Sequence, residues 1–353
     1  MDIIKKEPVR KDSVRNKIGK RYTNDRTRLE TVIPLTTPYL VFLDPSSSCN
    51  FKCKFCPCGG ANKEYWSENK KVGILSYETA RKVIDDITEF PDKIKTLRLY
   101  KEGEPLLNKR LPDIINYARK KDVAERIDFT TNGSLLTHDL GLAIADAGVD
   151  RINISVEAID DDDYFSISGV KIEFRRYVNN IKFFYNHKNG CHVFVKISDL
   201  GLGKHSAEEF YDIFGEICDE IAVERVSNVW PDFSVKEELK KTDEYDIYGG
   251  KMSERSEVQV CPYLFYSLCV NSDGTVSSCL MDWNHVQIIG NVNDSSLHEI
   301  WNGDTLNRMR LDHLRLNRKV YPACAKCGQM KYAVLDNIDQ YRKEILQKIE
   351  EKL

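Results

Sequence analysis

From Tyr39 onward, two periodicities alternate along the chain. Short β-branched or aromatic runs recur at Leu40–Asp44, Thr96–Tyr100, Arg126–Thr131, Arg151–Val156, His192–Ile197 and Ala222–Ser227. Between them, apolar residues repeat with helical spacing over Tyr77–Phe90, Leu111–Lys121, His138–Ala147, Phe174–His187 and Ala207–Cys218. Strands alternating with helices of this length predict βαβ units and a parallel sheet, an α/β fold. Six strands fall short of the eight of a closed barrel. The rhythm breaks near Pro231, a charged stretch and Gly249-Gly250, which predicts a linker over 231–257. The organisation expected is therefore a basic arm (1–37), the βα unit (38–230), the linker, a cysteine-bearing unit (258–335) and a charged helix (336–353). In the cysteine-bearing unit, Leu268–Cys279 alternates around Asp273-Gly274 and predicts a hairpin. Ser296–Leu316 reads as one helix, and Ile338, Tyr341, Ile345 and Ile349 line one face of the last.

Bulk composition narrows the function classes. At 353 residues, 41% hydrophobic and 30% charged, the chain is of ordinary globular composition, long enough for one large barrel with an appendage. A net charge of −3 argues against nucleic acid as the main partner. No apolar run approaches the length needed to cross a membrane. Met1–Lys6 is polar and carries no signal-peptide core, so a cytoplasmic location and no membrane partner are expected. Met1–Arg28 holds ten Lys/Arg against four Asp/Glu, which predicts a solvated arm.

Eleven cysteines cluster at ligand-like spacings and do not scatter as a disulfide framework would. Cys49, Cys53 and Cys56 form C-x3-C-x2-C directly after the first strand-like run. Three thiolates are one short of a structural zinc site, which needs four ligands. A four-iron cubane held by three cysteines keeps one iron open. Zinc completed by a remote histidine stays open as an alternative.

This motif, with Phe55 before its third cysteine, resembles that of the radical S-adenosylmethionine (SAM) enzymes. The resemblance implies a partial (β/α)6 TIM-like barrel with the motif on the loop after its first strand. It also implies a 4Fe-4S cluster whose open iron chelates SAM, and cleavage of SAM to a 5′-deoxyadenosyl radical that takes a hydrogen atom from substrate. Gly103-Glu104-Pro105 then matches a Gly-Gly-Glu-Pro-like motif contacting the SAM amino group, with Glu102 replacing the first glycine. Asn132, in Thr130-Thr-Asn-Gly133, and Ser155 and Glu157 around the end of the fourth strand would also line the SAM pocket. Cys58 is expected not to be a ligand, and Cys191 and Cys218 to be packing residues.

Cys261, Cys279, Cys324 and Cys327 form the second set. Their spacing alone suits a structural zinc nearly as well as a second cluster. The region resembles the SPASM/twitch extension, and its spacing is similar to that in 2-deoxy-scyllo-inosamine dehydrogenase, a radical SAM alcohol oxidase. Position 333 is Ala and no cysteine follows Cys327, which resembles the one-cluster version with an auxiliary 4Fe-4S cluster; Cys269 is then a packing residue. The implied activity is oxidation of a small polar substrate, a carbohydrate or cyclitol alcohol, to a ketone, with the auxiliary cluster accepting an electron and flavodoxin or ferredoxin as donor. The alternative is modification of a ribosomal peptide or protein side chain, disfavoured because only about 37 residues precede the barrel. No motif singles out a base among His205, Arg225, Asp282 and His285.

Overall fold

A computed structural model describes residues 14–19, 26–235, 244–255 and 258–352. Six parallel strands, β1 (Leu40–Leu43), β2 (Ile94–Arg98), β3 (Ala124–Thr131), β4 (Arg151–Val156), β5 (His192–Ser198) and β6 (Glu220–Glu224), lie side by side in chain order. The helices α1 (Tyr77–Ile87), α2 (Leu111–Lys121), α3 (His138–Ala147), α4 (Asp161–Ser168), α5 (Phe174–His187) and α6 (Ala207–Phe214) connect them. This is the open α/β barrel that the pattern and the resemblance implied.

Local chemistry sets the ends of these elements. Ser76 and Thr137 cap α1 and α3 by accepting from Thr79 and Leu140 backbone N–H groups. Ser206 and Glu209 form a reciprocal capping box on α6. Gly148 closes α3 at φ +88°, a backbone region that costs glycine nothing. Along β4, Ile152, Ile154 and Val156 enter the core, while Asn153 bonds Thr130 on the adjacent β3 and Arg151 reaches across β5 to Glu220 on β6. Arg98 grips Asp128 through two bonds of 2.7 and 2.8 Å. One barrel surface is therefore apolar and the other is laced by ion pairs.

The second unit does not stand apart from the barrel. Strands β7 (Ser267–Val270), β8 (Thr275–Ser277) and β9 (Ile288–Asn291) extend the same sheet, in the order β6-β5-β4-β3-β2-β1-β7-β8-β9. β7 runs parallel to β1, pairing Leu40 with Ser267 and Leu43 with Val270. The expected hairpin is β7–β8, turned at Gly274 with φ +87°. The single helix expected over Ser296–Leu316 is two, α7 (Leu297–Asn302) and α8 (Asp304–Leu314), because Gly303 is extended at ψ 156°. Short helices α9 (Pro322–Ala325) and α10 (Gln329–Tyr332) and the terminal α11 (Arg342–Glu350) follow. Ile338, Ile345 and Ile349 are buried, as their spacing predicted.

Much of the basic arm lies outside the described residues. Its 14–19 piece runs along β6, where Lys17 donates to the Gly215 and Cys218 carbonyls at 2.9 Å. Part of the expected linker, 236–243 and 256–257, also lies outside them. Its described start is packed: Phe233 and Val235 bury against Cys58 and Trp283.

Candidate active site

The loop after β1 carries Cys49, Cys53 and Cys56 and is held by its backbone. Lys52 and Lys54 N–H groups donate to Ser168 and Ile167 carbonyls at the end of α4. The buried Asn62 amide donates to the carbonyls of Cys53, Lys54 and Cys56, the last at 2.9 Å. Phe51 fills the space beneath, edge-on to Tyr164. Burial pushes the Cys49 thiol up to about 12 and Cys53 well above its ordinary value. Such thiols need a cationic partner to ionise. Cys58 is pushed up by its hydrogen bond with Cys56 and by burial.

Residues 102–105 abut this loop. A Cβ on Gly103 would lie 2.2 Å from the Ser48 carbonyl oxygen and 2.3 Å from that of Ser46, so only glycine fits. Gly103→Ala is expected to push the Ser46–Ser48 backbone aside at a cost of about 1–3 kcal/mol. A lower melting temperature together with reduced iron loading would register it; unchanged loading would refute the close-approach argument.

Glu104, 1% exposed, accepts from the Thr131 hydroxyl (2.6 Å) and from the backbone N–H groups of Leu106 (2.9 Å) and Asn132 (2.7 Å). Burial raises its carboxyl to about 7. Its visible work is thus to tie the β2 loop to the β3 loop, and Pro105 starts the short turn Pro105–Leu107 that follows. Asn132 reaches back to Asn50 Oδ1 (2.9 Å) and, at 4.0 Å, to Cys49 Sγ. Glu157 is buried against the Cys53 thiol, and burial raises it to about 7. Ser155 is half-buried one position before Val156 on β4. Phe55 packs with Cys58 and Trp283. The structure thus brings Gly103, Glu104, Asn132 and Glu157 against the cysteine loop or one another, and leaves Ser155 and Pro105 outside these contacts.

The second set lines one cavity: Cys261, Cys279, Cys324 and Cys327, with Gln287 and His313 among its walls. Cys269 lies in β7 opposite Phe42 and Ser277 and does not line it. Gln287 donates to Cys324 Sγ at 3.4 Å and accepts from the Ala323 and Cys324 N–H groups, shaping the Cys324–Cys327 turn. His313 is fully buried, and neither ring nitrogen has a partner.

Four thiolates on zinc, at about 2.3 Å each, stand about 3.8 Å apart. Among the described residues, the one triad of His, Cys, Asp or Glu ligand atoms within 4.8 Å of one another is Asp160, Asp163 and His205. Neither cysteine set is gathered to zinc spacing.

Between the two sets lies a buried charged network that no motif announced. Glu102, the residue in place of glycine, is ion-paired with Lys70 and Lys101. It also accepts from His285 Nε2 at 2.9 Å. Burial alone would raise Glu102, but Lys101, His285 and Lys70 hold it well below the usual carboxylate range. Lys101 reaches Asn271 Oδ1 (2.8 Å) and the Asp282 carbonyl (3.0 Å), and Lys70 reaches the Trp283 carbonyl (2.6 Å). The departure at Glu102 was the one sequence signal for this network.

The four candidate bases also separate. Asp282 accepts from Val286 and Gln287 N–H groups, capping a turn. His205 uses both nitrogens, on Asp160 (2.9 Å) and Glu209 (3.2 Å). Arg225 stacks over Tyr245. His285 alone of the four keeps a buried nitrogen, Nδ1, without a partner.

Comparison with known proteins adds the following. Residues 43–217 match the model of the radical SAM superfamily, and residues 261–328 match that of the SPASM iron–sulfur cluster-binding domain. Among curated proteins, the tungsten-containing aldehyde ferredoxin oxidoreductase cofactor-modifying protein of Pyrococcus furiosus is 29% identical over 34% of this chain and 31% of its own length. The GTP 3′,8-cyclase of Staphylococcus haemolyticus is 32% identical over 42% of each. The matched segment thus spans well under half of these relatives. Among solved structures, BtrN in complex with AdoMet and 2-DOIA superposes with a TM-score of 0.53 at 16% identity, covering 85% of this chain and 97% of BtrN. Native anSMEcpe with bound AdoMet gives 0.58 at 15% identity, covering 88% and 96%. Streptococcus suis SuiB bound to the precursor peptide SuiA gives 0.57 at 15%, covering 86% and 72%. At these identities the likeness is one of fold.

Proposed function

We propose, from the premise that this chain is a radical SAM protein with a SPASM iron–sulfur domain, that it oxidises a carbinol carbon of a small polar substrate to a carbonyl. In this reading Cys49, Cys53 and Cys56 hold the SAM-binding cluster, and Cys261, Cys279, Cys324 and Cys327 hold the auxiliary one. When bound, these groups supply hydrogen-atom abstraction from an unactivated C–H and an acceptor for one electron.

The protein's own part is placement. Glu104 fixes the β2 and β3 loops against each other. Gly103 lets the backbone at 102–105 approach the cysteine loop, where it and Pro105 frame the SAM amino-acid end. Asn132, Ser155 and Glu157 contribute the polar side of the SAM pocket and Phe55 its apolar side. Trp66, Trp230 and Phe233 pack around Cys58 and Trp283, an apolar cover that keeps water from the cysteine loop.

One observation carries the oxidation over a redox-neutral reaction: a single buried network runs from beside the first cysteine loop to the wall of the four-cysteine cavity. Its Glu102 adjoins Gly103, which abuts Ser46–Ser48, and its Lys101 bonds the carbonyl of Asp282, which lines the four-cysteine cavity. A substrate held along that network lies between the site of hydrogen abstraction and the electron acceptor. A low-potential one-electron donor, a reduced flavodoxin or ferredoxin, would complete the cycle. Modification of a peptide is the second reading, motivated by the likeness to SuiB bound to SuiA.

Anaerobic reconstitution tests the reading. About eight irons per chain are expected, four for each cluster. With dithionite and SAM the protein should release 5′-deoxyadenosine, and cyclitol or hexose probes should yield a carbonyl product. Four irons with one zinc would remove the electron acceptor and the oxidation with it. Product from a serine-containing peptide and none from the sugars would move the assignment to the second reading.

A further inference from the structure

We propose that His285, oriented by Glu102, is the catalytic residue that takes the hydroxyl proton of the substrate, and that the surrounding network is a subsite for hydrogen-bond donors such as the hydroxyls or ammonium of a polyol or amino alcohol. This deepens the oxidation proposed above and rests on it.

The geometry has four parts. First, Glu102 has no competing proton: Lys70 and Lys101 keep it anionic, so it only accepts, and His285 Nε2 must carry the hydrogen across the 2.9 Å contact. In the neutral imidazole that leaves the lone pair on Nδ1 as an acceptor. Second, Nδ1 is buried and unpartnered in a residue only 3% exposed. An orphaned buried acceptor costs about 1–3 kcal/mol unless a ligand or water supplies a donor. Third, the network holds another buried, partnerless atom, Asp44 Oδ2, on a carboxyl that burial and the nearby Glu102 raise to about 7, while Asp44 Oδ1 accepts from the Lys101 backbone N–H. The open His285 acceptor, an Asp44 oxygen that accepts when ionised, and lysines already committed to Glu102, Asn271 and the carbonyls of Asp282 and Trp283 select a ligand that brings hydrogen-bond donors of its own. Fourth, His285 sits at φ +55°, in the left-handed region that only a few per cent of non-glycine residues adopt, histidine being among the side chains found there more often. A strained residue in a buried polar site is where function is expected.

The step balances as follows. The carbinol carbon gives its hydrogen atom to the deoxyadenosyl fragment of SAM. The hydroxyl gives its proton to His285 Nδ1. The remaining electron leaves to an iron–sulfur acceptor, and the C–O single bond becomes C=O, a two-electron oxidation of substrate. SAM takes two electron equivalents, one that the first cluster would pass on from dithionite as the C5′–S bond breaks and methionine leaves, and one as the substrate's hydrogen atom. The acceptor takes the substrate's second electron.

The test uses the reconstituted full chain with SAM, dithionite and, in turn, 2-DOIA, myo-inositol and a serine-containing peptide, measuring carbonyl product per 5′-deoxyadenosine released. Asparagine and glycine both accept φ +55°, so His285→Asn and His285→Gly remove the ring without added backbone strain. Both variants are expected to keep the wild-type iron content and 5′-deoxyadenosine release within about twofold. Carbonyl per 5′-deoxyadenosine should fall by about a hundredfold, the usual scale of a lost general base. Added imidazole should restore part of it in His285→Gly alone. An unchanged ratio in both variants would overturn the proposal. Parallel loss of iron and both products would too, since it would make His285 a clamp between the barrel and the second unit. If the wild-type protein oxidises neither hydroxylated small molecule, the oxidation reading itself fails, a result visible before any variant is made.

Discussion

Cys53→Ala is expected to abolish SAM cleavage outright. Cys53 is the most enclosed of the first three cysteines, 7% exposed, with Glu157 against its thiol and the Asn62 amide on its carbonyl. Two thiolates cannot hold a four-iron core against loss of iron, so about four irons per chain should disappear while the auxiliary four remain. No 5′-deoxyadenosine should form above background, whichever substrate is present. The fold should survive, because the loop is anchored by backbone bonds from Lys52 and Lys54 and by Asn62, none of which uses the sulfur. Anaerobic iron analysis with a deoxyadenosine assay reads both points. Retained SAM cleavage would remove Cys53 from the ligand set and with it the three-thiolate argument.

The second large effect is a separation of activities. Cys324→Ala should leave 5′-deoxyadenosine formation within about tenfold of the wild type and reduce carbonyl product to background, because the electron acceptor is lost while the first cluster is intact. Gln287 makes this informative. It donates to Cys324 Sγ, but also to Ser278 Oγ at 3.0 Å, and it accepts from Ala323 N–H. The turn therefore keeps most of its bonds when the sulfur goes. Equal loss of both products would show instead that the second site serves only to hold the fold.

How far the sequence could be read depended on which barrel face a residue meets. Strand β4 was legible to the residue at Arg151–Val156, since three buried aliphatics alternate with polar partners. Strand β6 was not: the expected Ala222–Ser227 starts two residues late, because the true start, Glu220, is charged and turned toward Arg151. Ion pairs on one face of the sheet thus erase the apolar signal that marks a strand end. Helix α4 was missed for a related reason: its first turn is Asp161-Asp162-Asp163, and only Tyr164 and Ser168 are buried. The cysteines were legible because ligand spacing is local. The Lys70–Glu102–His285 network was not, because its members come from three distant segments and only folding brings them together. The pairing of β7 with β1 has the same character: nothing within Ser267–Val270 names its partner.

That pairing has a consequence for biosynthesis. The strand leading into the first cysteine loop waits, during translation, for a neighbour encoded far downstream. Until Ser267–Val270 emerges from the ribosome, one flank of β1 offers unsatisfied amides and carbonyls to any passing nascent chain. Expression of the βα portion alone, cut near residue 230, should therefore give insoluble material, and cluster insertion in the cell should follow completion of the whole polypeptide.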